Sequence, residues 1–332
     1  MNKGIVPLVC WLFISCFSQG PQIEEIGRET VESALLRKPE KTVFTASADS
    51  VSSVVVTDST ICVYYTKKQN KSFLVLKDMD GTVIGSPVHY GTEANQVLIA
   101  NYSYGNGRHV VYDPLMKKAA VIEITKAKAD STYMPVFFNT DIVSQKVAWM
   151  DGLLLYLNPD AYDPSHSHVC LSDTQWNCRF SDKHSNSAFN ATGGEILFNP
   201  SRELIAYCSR HEPLVEILDK NLHVLKQIWF PHQRGEVSRI QQEDGQELYL
   251  YKDLAPLCFP SADSNNDYLV TAFRTDDDFS VVVIMDWEGK VLDSFRTAAD
   301  IERISLSQDG KFVYCWEIGE KESALKLYRL LT

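Results

Sequence analysis

The sequence predicts an all-β protein built from one repeated sheet. After residue 40, short apolar runs rich in Val, Ile, Leu, Tyr and Phe are separated by polar turns roughly every 8 to 12 residues. Many of these runs, such as residues 73–76 and 280–285, are apolar at consecutive positions. Strict alternation would indicate one solvated face, so we expect these strands to be covered on both faces.

Two families of turns recur along the chain and reveal the repeat. One family centres on Asp80, Asn221 and Glu288, and the second on Asp58, Pro200 and Ser264. The first intervals are 141 and 142 residues, and the second intervals are 67 and 64 residues. Because the two families agree within about three residues, the longer interval reads as three units of about 47 residues, the size of a four-stranded propeller blade.

The repeat predicts a six-bladed β-propeller over residues 41–332. The blades fall at about residues 51–88, 95–138, 144–182, 193–230, 256–297 and 301–331, with an insertion at 231–255. The last blade offers only three strands, whereas residues 41–46 form an unassigned strand before the first blade. We therefore expect residues 42–46 to pair with the final strand near residues 325–330, which removes an open sheet edge.

Residues 1–16 are predicted to be a lipoprotein-type signal peptide. Lys3 precedes an apolar run at residues 5–14, which is too short to span a bilayer. A small residue followed by Cys is the arrangement that a lipoprotein signal peptidase uses, so Cys16 is the predicted lipidation site. The alternative is ordinary cleavage near residues 18–20, which Pro21 disfavours. Residues 17–40 are predicted to be a tether, in which residues 23–36 could form a short amphipathic helix.

Six further cysteines follow the signal, and an exported chain permits disulfides. Cys62, Cys208 and Cys315 each lie within apolar strand runs, where Cys usually acts as a small core side chain. Cys170 and Cys178 flank a short turn and are the one pair that could bridge a hairpin. Core packing without a bridge is the alternative for this pair.

The chain resembles the TolB-like six-bladed propeller proteins of Bacteroidetes-type envelope lipoproteins. The resemblance covers residues 40–332 and the lipobox-like start, and its motifs are the blade turns at residues 78–81 and 286–289 and the hairpin at 308–310. It implies the fold and an envelope location with a lipid anchor. It transfers no catalytic residue.

Composition and motifs exclude several kinds of chemistry. The net charge of −11, without a Lys/Arg stripe, argues against a nucleic-acid partner. The chain has no serine-hydrolase elbow, P-loop, zinc-protease or dinucleotide motif, so no cofactor is predicted. His166 and His168 could share a strand face but lack a third metal ligand. Residues 263–267 resemble a calcium loop without its glycine and are better explained as a turn.

Aromatic and histidine side chains gather in the loops predicted on one face of the propeller. These candidate binding residues are Tyr90, Tyr104, Tyr162, His184, His211, His232, Asp276 and Asp277. Such loops on a rigid scaffold are a common way to build a binding surface. The sequence therefore predicts a non-enzymatic binding or scaffold protein of the bacterial envelope, whose partner is a protein, peptide or glycan. The alternative is a metal-dependent hydrolase or lyase that uses the central channel.

Overall fold

The computed structural model describes most of the chain after the predicted signal. The described residues are 20–47, 50–57, 59–66, 71–105, 108–140, 146–150, 152–157, 169–172, 178–180, 193–231, 237–241, 247–251, 257–275 and 279–331. Helix is confined there to α1 (Arg28–Glu32) and α2 (Ile124–Ala129). Neither of these two helices is long or apolar enough to cross a lipid bilayer.

Three short strands precede the first blade, and three four-stranded sheets follow them. The leading strands are β1 (Gln22–Glu25), β2 (Leu35–Leu36) and β3 (Lys41–Ser47). Blade one contains β4 (Val51–Thr57), β5 (Thr60–Tyr65), β6 (Ser72–Lys77) and β7 (Val83–Tyr90), extended by β8 (Gln96–Val97). Blade two contains β9 (Asn101–Gly105), β10 (Arg108–Asp113), β11 (Lys118–Ile122) and β12 (Phe138–Asn139). Blade three contains β13 (Val147–Met150), β14 (Leu153–Leu157), β15 (Val169–Ser172) and β16 (Cys178–Phe180).

The second half of the chain repeats the same sheet. Blade four contains β17 (Gly194–Asn199), β18 (Leu204–Ser209), β19 (Leu214–Asp219) and β20 (Val224–Trp229). The predicted insertion contains a hairpin of β21 (Val237–Gln241) and β22 (Glu247–Tyr251). Blade five contains β23 (Ser261–Ser264), β24 (Tyr268–Arg274), β25 (Ser280–Asp286) and β26 (Val291–Arg296). Blade six contains β27 (Asp300–Leu306), β28 (Phe312–Ile318) and β29 (Glu322–Arg329).

The six sheets form a ring in which the first strand of each blade lies innermost. Within a blade the four main strands pair in chain order and antiparallel, and the innermost strands β9, β13, β17, β23, β27 and β4 follow one another around the channel. The described core divides into six clusters, one at each junction between neighbouring blades. Each sheet therefore buries its apolar faces only by packing against its neighbours, as expected for a propeller.

The predicted closure of the ring is confirmed. Strand β3 pairs antiparallel with β29, with Thr45 opposite Ala324 and Phe44 opposite Leu325. The Phe44 ring also stacks on Trp316 of β28, with 6.2 Å between ring centroids. Blade six thus receives its outermost strand from the beginning of the propeller, and the edge of β29 is covered.

The described part of the segment predicted to be a tether lines the outside of the ring. Strand β1 pairs parallel with β20 of blade four, and β2 pairs parallel with β26 of blade five. Helix α1 lies between them, and its Val31 is buried in the core cluster shared by blades four and five. Helix α1 is only five residues long, because the backbone on both sides of it pairs with a sheet edge.

The repeated turns found in the sequence are one structural motif. In blades one, four and five, a carboxylate oxygen of Asp78, Asp219 or Asp286 accepts a backbone N–H from four residues onward. The residue three positions after the Asp has a positive φ, namely 86° at Gly81, 72° at Leu222 and 87° at Gly289. The Asp side chain and the left-handed residue together explain why the same letters recur at the blade spacing.

Candidate functional site

The propeller has two ends that differ in what reaches them. We name entry face the end where the innermost strands begin, marked by Lys146, Arg210 and His211, and turn face the opposite end, marked by residues 78–82 and 220–223. The loops between the second and third strands of each blade, and the blade-to-blade connections, lead to the entry face. This is the face on which the sequence predicted a binding surface.

The structure places two of the predicted binding residues on the entry face. His211 lies in the loop between β18 and β19 and is partly exposed. Tyr90 ends β7, and its hydroxyl donates a hydrogen bond to the Tyr65 carbonyl at 2.9 Å. The Tyr90 side chain is partly buried, and this burial raises its pKa to about 12. Five other candidates lie outside the described residues: Tyr162, His184, His232, Asp276 and Asp277.

Tyr104 was predicted in a surface loop, and this placement is wrong. It lies on the innermost strand β9, only 5% exposed, and its hydroxyl donates a hydrogen bond to the Ile304 carbonyl of blade six. The error arose because Asn101, Ser103 and Gly105 make β9 resemble a loop in sequence. Polar residues occur on this strand because it faces the channel.

The register of blade three disfavours the predicted disulfide between Cys170 and Cys178. Cys170 lies opposite Phe180, and Cys178 lies opposite Ser172, so the two cysteines are diagonal neighbours. Diagonal positions on paired strands are about 7–8 Å apart, whereas the Cβ atoms of a disulfide are about 3.5–4.5 Å apart. The side chain of Cys178 lies outside the described residues, so the bridge stays a prediction. The thiols of Cys62, Cys208 and Cys315 are fully buried, as the sequence predicted.

The central channel opens on the entry face into a cavity of about 480 Å³. We name it the channel mouth. Every blade contributes a residue from the beginning of its innermost strand: Ser52, Tyr102, Lys146, Glu195, Pro260 and Arg303. The loop after β18 adds Arg210 at the rim. A volume of this size is within the range of small-molecule sites.

Arg303 is the hub of the channel mouth. Its Nε donates to the Tyr102 hydroxyl at 3.0 Å, and its Nη1 donates to Glu195 Oε1 at 2.8 Å and to the Pro260 carbonyl at 2.9 Å. These contacts join blade six to blades two, four and five. The nearby phenols and the Glu195 carboxylate raise the pKa of Arg303 against the effect of burial, so the guanidinium stays charged.

Lys146 supplies a second buried cation beside the same carboxylate. Its Nζ lies 2.9 Å from Glu195 Oε1, and its side chain is only 12% exposed. Desolvation, together with the positive charge of Arg303, lowers the pKa of Lys146 to about 8, although Glu195 acts in the opposite direction. Lys146 is therefore mostly protonated at pH 7 and loses its proton as the pH rises through about 8.

Below the mouth, one polar contact crosses the channel and another joins neighbouring blades. The Tyr104 hydroxyl of blade two reaches the Ile304 carbonyl of blade six, and Asp263 Oδ2 of blade five accepts the Leu306 N–H of blade six at 2.8 Å. Burial raises the pKa of Asp263 to about 7, while the two backbone N–H groups that it accepts oppose the shift. Asn265, in the segment that resembled a calcium loop, uses its Oδ1 to accept two backbone N–H groups of its own turn. This confirms the turn interpretation for Asn265.

The chemistry available at the mouth is that of anion recognition. The described lining carries three cations, Lys146, Arg210 and Arg303, and one carboxylate, Glu195. Among the described residues no three His, Cys, Asp or Glu side chains are grouped as metal ligands. Sequence reasoning missed this set because its members are isolated charges spread over blades three, four and six. The signal that could have found it is a charged residue near the start of the innermost strand in each of these three blades.

A second polar cluster is fully enclosed between blades one and two. His109 Nε2 lies 2.7 Å from Thr57 Oγ1, and its Nδ1 lies 2.7 Å from the Tyr64 hydroxyl. Burial lowers the pKa of His109 to about 3, so the imidazole is neutral. With both ring nitrogens paired and no exposed surface, this histidine stabilises the junction and does not face a substrate.

Six blades in a closed ring around a central channel define the chain as a six-bladed β-propeller. The sequence matches no protein-family model and no curated protein. Solved structures share the fold. A Bacteroides fragilis protein named for its assumed export aligns with a TM-score of 0.55 and 7% identity, covering 93% of this chain and 99% of that one. A member of the DUF4221 family from Bacteroides vulgatus aligns with a TM-score of 0.52 and 7% identity, covering 90% and 98%. At this identity the likeness establishes the fold alone.

Proposed function

We propose that this chain is a non-enzymatic binding propeller of the bacterial envelope that engages its partner through the entry face. The observation that supports the proposal is the open channel mouth, placed on the same face as His211. A ring of interlocked sheets holds this surface rigid, and pre-organised surfaces lose little conformational entropy on binding. The partner is a protein, peptide or glycan.

The proposal is tested by probing glycan and peptide arrays with the chain without its signal and lipidation site, residues 17–332. We expect His211→Ala to weaken binding to any array ligand about tenfold, the effect of losing one or two polar contacts. His223→Ala is the matched control, because His223 lies on the turn face with its side chain 64% exposed. If both variants lose the same affinity, or if His211→Ala binds as tightly as the wild type, the partner does not bind through His211 on the entry face.

Membrane attachment through a diacylglyceryl group on Cys16 is the second part of the proposal. It is supported by the apolar run that ends at Ser15-Cys16. Bacteria expressing the full chain are grown with labelled palmitate, and we expect label on the wild type and on Cys10→Ser but none on Cys16→Ser. Cys10 is a matched control because it lies in the same predicted signal. Label on Cys16→Ser, or none on the wild type, would favour ordinary secretion.

The alternative, a metal-dependent hydrolase or lyase, makes a different prediction. Its ligands would have to face the channel, where the described residues instead present Lys146, Arg210 and Arg303. Positive charges repel a divalent cation, so these residues support anion binding over metal binding. Elemental analysis of protein purified without chelators separates the two functions. One tightly bound divalent cation per chain would favour the enzyme.

A further inference from the structure

The two arginines of the channel mouth have N–H donors that no described residue accepts. Arg303 commits Nε and Nη1 to protein acceptors, and its Nη2 donates to no described group. Arg210 lies exposed at the rim, and its guanidinium makes no hydrogen bond or ion pair with the described residues. Two planar guanidinium groups with unused N–H donors therefore border one cavity.

The charge of the described lining is unbalanced. Among the described lining residues, Lys146, Arg210 and Arg303 are cations and Glu195 is the one carboxylate. Glu302 is near enough for Arg303 and Arg210 to lower its pKa, but desolvation outweighs them and the net shift is upward. The described lining is thus positive within a chain whose net charge is −11. A polyanion would be repelled by the rest of the surface, whereas a small anion feels mainly the local cations.

The walls of the mouth also restrict the ligand. The rings of Phe73 and Phe259 border the cavity but are 2% and 0% exposed, so they offer almost no apolar contact area. Asn101 and Arg210 present polar groups instead, and the volume of about 480 Å³ admits a molecule of monosaccharide size. A hydrophilic body is therefore better suited to this cavity than an apolar one.

We propose that the channel mouth binds the oxyanion, carboxylate or phosphate, of a small hydrophilic ligand, with Arg210 and the unused edge of Arg303 as its donors. A guanidinium fork matches both oxyanions with two parallel hydrogen bonds. Glu195 is a positioning residue, because it accepts a hydrogen bond from Arg303 Nη1, and Lys146 adds a positive charge beside the same carboxylate. This inference rests on the proposed function, since it names the ligand chemistry of the entry face.

The test uses four ligands with one body and different charges: glucose, glucosamine, glucuronate and glucose 6-phosphate. Binding to the chain of residues 17–332 is measured by calorimetry at low salt. We expect glucuronate or glucose 6-phosphate to bind at least about tenfold more tightly than glucose or glucosamine, the effect of one charge-assisted pair. Whichever of the two binds identifies the oxyanion as carboxylate or phosphate.

Arg210→Gln should remove this preference without loss of stability, because the side chain is exposed and makes no described contact. Arg202→Gln is the matched control, since Arg202 lies on the turn face of the same blade. A charged ligand that binds no better than glucose, or a preference that survives Arg210→Gln, would overturn the proposal.

A second readout is the pH dependence of oxyanion binding. Lys146 contributes its charge below a pKa of about 8, so affinity should fall as the pH rises from 7 to 9. The charged groups that face Lys146 are Glu195, Arg303 and Arg210. Affinity that is constant from pH 7 to pH 9 would contradict the involvement of Lys146.

The two proposals fail separately. Array binding that depends on His211, without any preference for charged sugars, would leave the binding face and remove the oxyanion site. Oxyanion binding that depends on Arg210, with no array ligand that requires His211, would leave the oxyanion site and remove the macromolecular partner.

Discussion

Burial forces several ionisable side chains into unusual protonation states, and these states make stability depend on pH. His109 is kept neutral, with a pKa lowered to about 3. Asp263 and Glu216 are driven the other way, because desolvation raises the pKa of each carboxyl to about 7. The imidazole and the carboxyls therefore act on stability in opposite directions.

Below pH 6.5 the unfolded chain protonates His109 and the folded chain does not, so acid lowers stability through this residue. Between about pH 4 and pH 7 the folded chain keeps protons on Asp263 and Glu216 that the unfolded chain releases, so acid raises stability through those two. The net pH profile of the wild type conceals the histidine contribution, which must be isolated with a variant.

His109→Gln is the variant that isolates it. We expect the stability advantage of the wild type over His109→Gln to shrink by about 2 kcal/mol between pH 7 and pH 5, because only the wild type carries the unfavourable protonation. Urea unfolding of both proteins at pH 5, 6 and 7 measures this difference. Curves that stay parallel across the range would show that His109 is not held neutral.

Two glycines of the blade turns share one backbone conformation but differ in their surroundings, so they separate the cost of backbone strain from the cost of a steric clash. Gly81 and Gly289 occupy the same turn position with φ of 86° and 87°. A Cβ at Gly81 would meet nothing within 4 Å, whereas one at Gly289 would lie 2.5 Å from Ile228 Cδ1. We expect Gly81→Ala to cost about 1 kcal/mol from the left-handed backbone and Gly289→Ala to cost distinctly more. Thermal unfolding of the two variants checks this order, and equal losses would contradict it.

At the scale of single elements, the leading segment is fixed to the ring by Arg37. Its Nη1 and Nη2 donate to Asp293 Oδ2 and Oδ1 at 2.8 and 3.0 Å, and Nη1 also donates to the Arg329 carbonyl at 3.0 Å. The guanidinium lies 4.3 Å from the centroid of the Phe295 ring. One side chain thus connects the segment to blades five and six.

Lysine cannot reproduce these contacts, because an ammonium group lacks the planar fork. We expect Arg37→Lys to lower the free energy of unfolding by about 1–3 kcal/mol, the range for hydrogen bonds to charged groups. Arg28→Lys is the control, since the Arg28 and Glu32 side chains are 3.8 Å apart and more than 60% exposed, and it should change nothing measurable. Urea unfolding that gives the same midpoint for both variants would show that Arg37 adds no stability.

The elements that the sequence predicted correctly are those whose side chains carry the pattern. Asp78 and Asp286 recur because their carboxylates form the turns, and residues 42–46 stood out because blade six lacked a strand. Strands β1 and β2 left no such signal. Ile23, Leu35 and Leu36 are 68%, 81% and 64% exposed, so these strands are held through their backbones, which hydrophobic periodicity cannot reveal.

The channel mouth could not be predicted for a different reason. Lys146, Glu195 and Arg303 lie in three blades and come together only when the ring closes. Each is an ordinary charged residue in its local sequence, and only the three-dimensional register of the innermost strands makes them neighbours. His211 nevertheless lies at the predicted end of the propeller, because chain topology alone determines where the loop after β18 emerges.

At the scale of the whole molecule, the leading segment acts as a continuous brace. Strands β1, β2 and β3 pair with the outer edges of blades four, five and six in that order. Only β3 closes the ring, because it completes the four strands of blade six. The first two strands add a fifth strand to sheets that are already complete.

This difference predicts unequal effects of truncation. A chain of residues 38–332 keeps β3 and should unfold cooperatively at a lower temperature than residues 17–332. A chain of residues 48–332 lacks β3, exposes the edge of β29 and should lose its single cooperative transition and aggregate. Calorimetry with light scattering measures both properties.

Rescue by a peptide distinguishes a missing strand from general damage. A synthetic peptide of residues 38–50 should restore a cooperative transition to the 48–332 chain, because the edge of β29 and the Trp316 ring remain available to Thr45 and Phe44. A peptide with Phe44 replaced by Asp should rescue less, since it loses the stacking contact and places a carboxylate beside an indole. If the 48–332 chain unfolds as cooperatively and at the same temperature as the 38–332 chain, blade six is stable with three strands. Strand β3 would then contribute no stability by closing the ring.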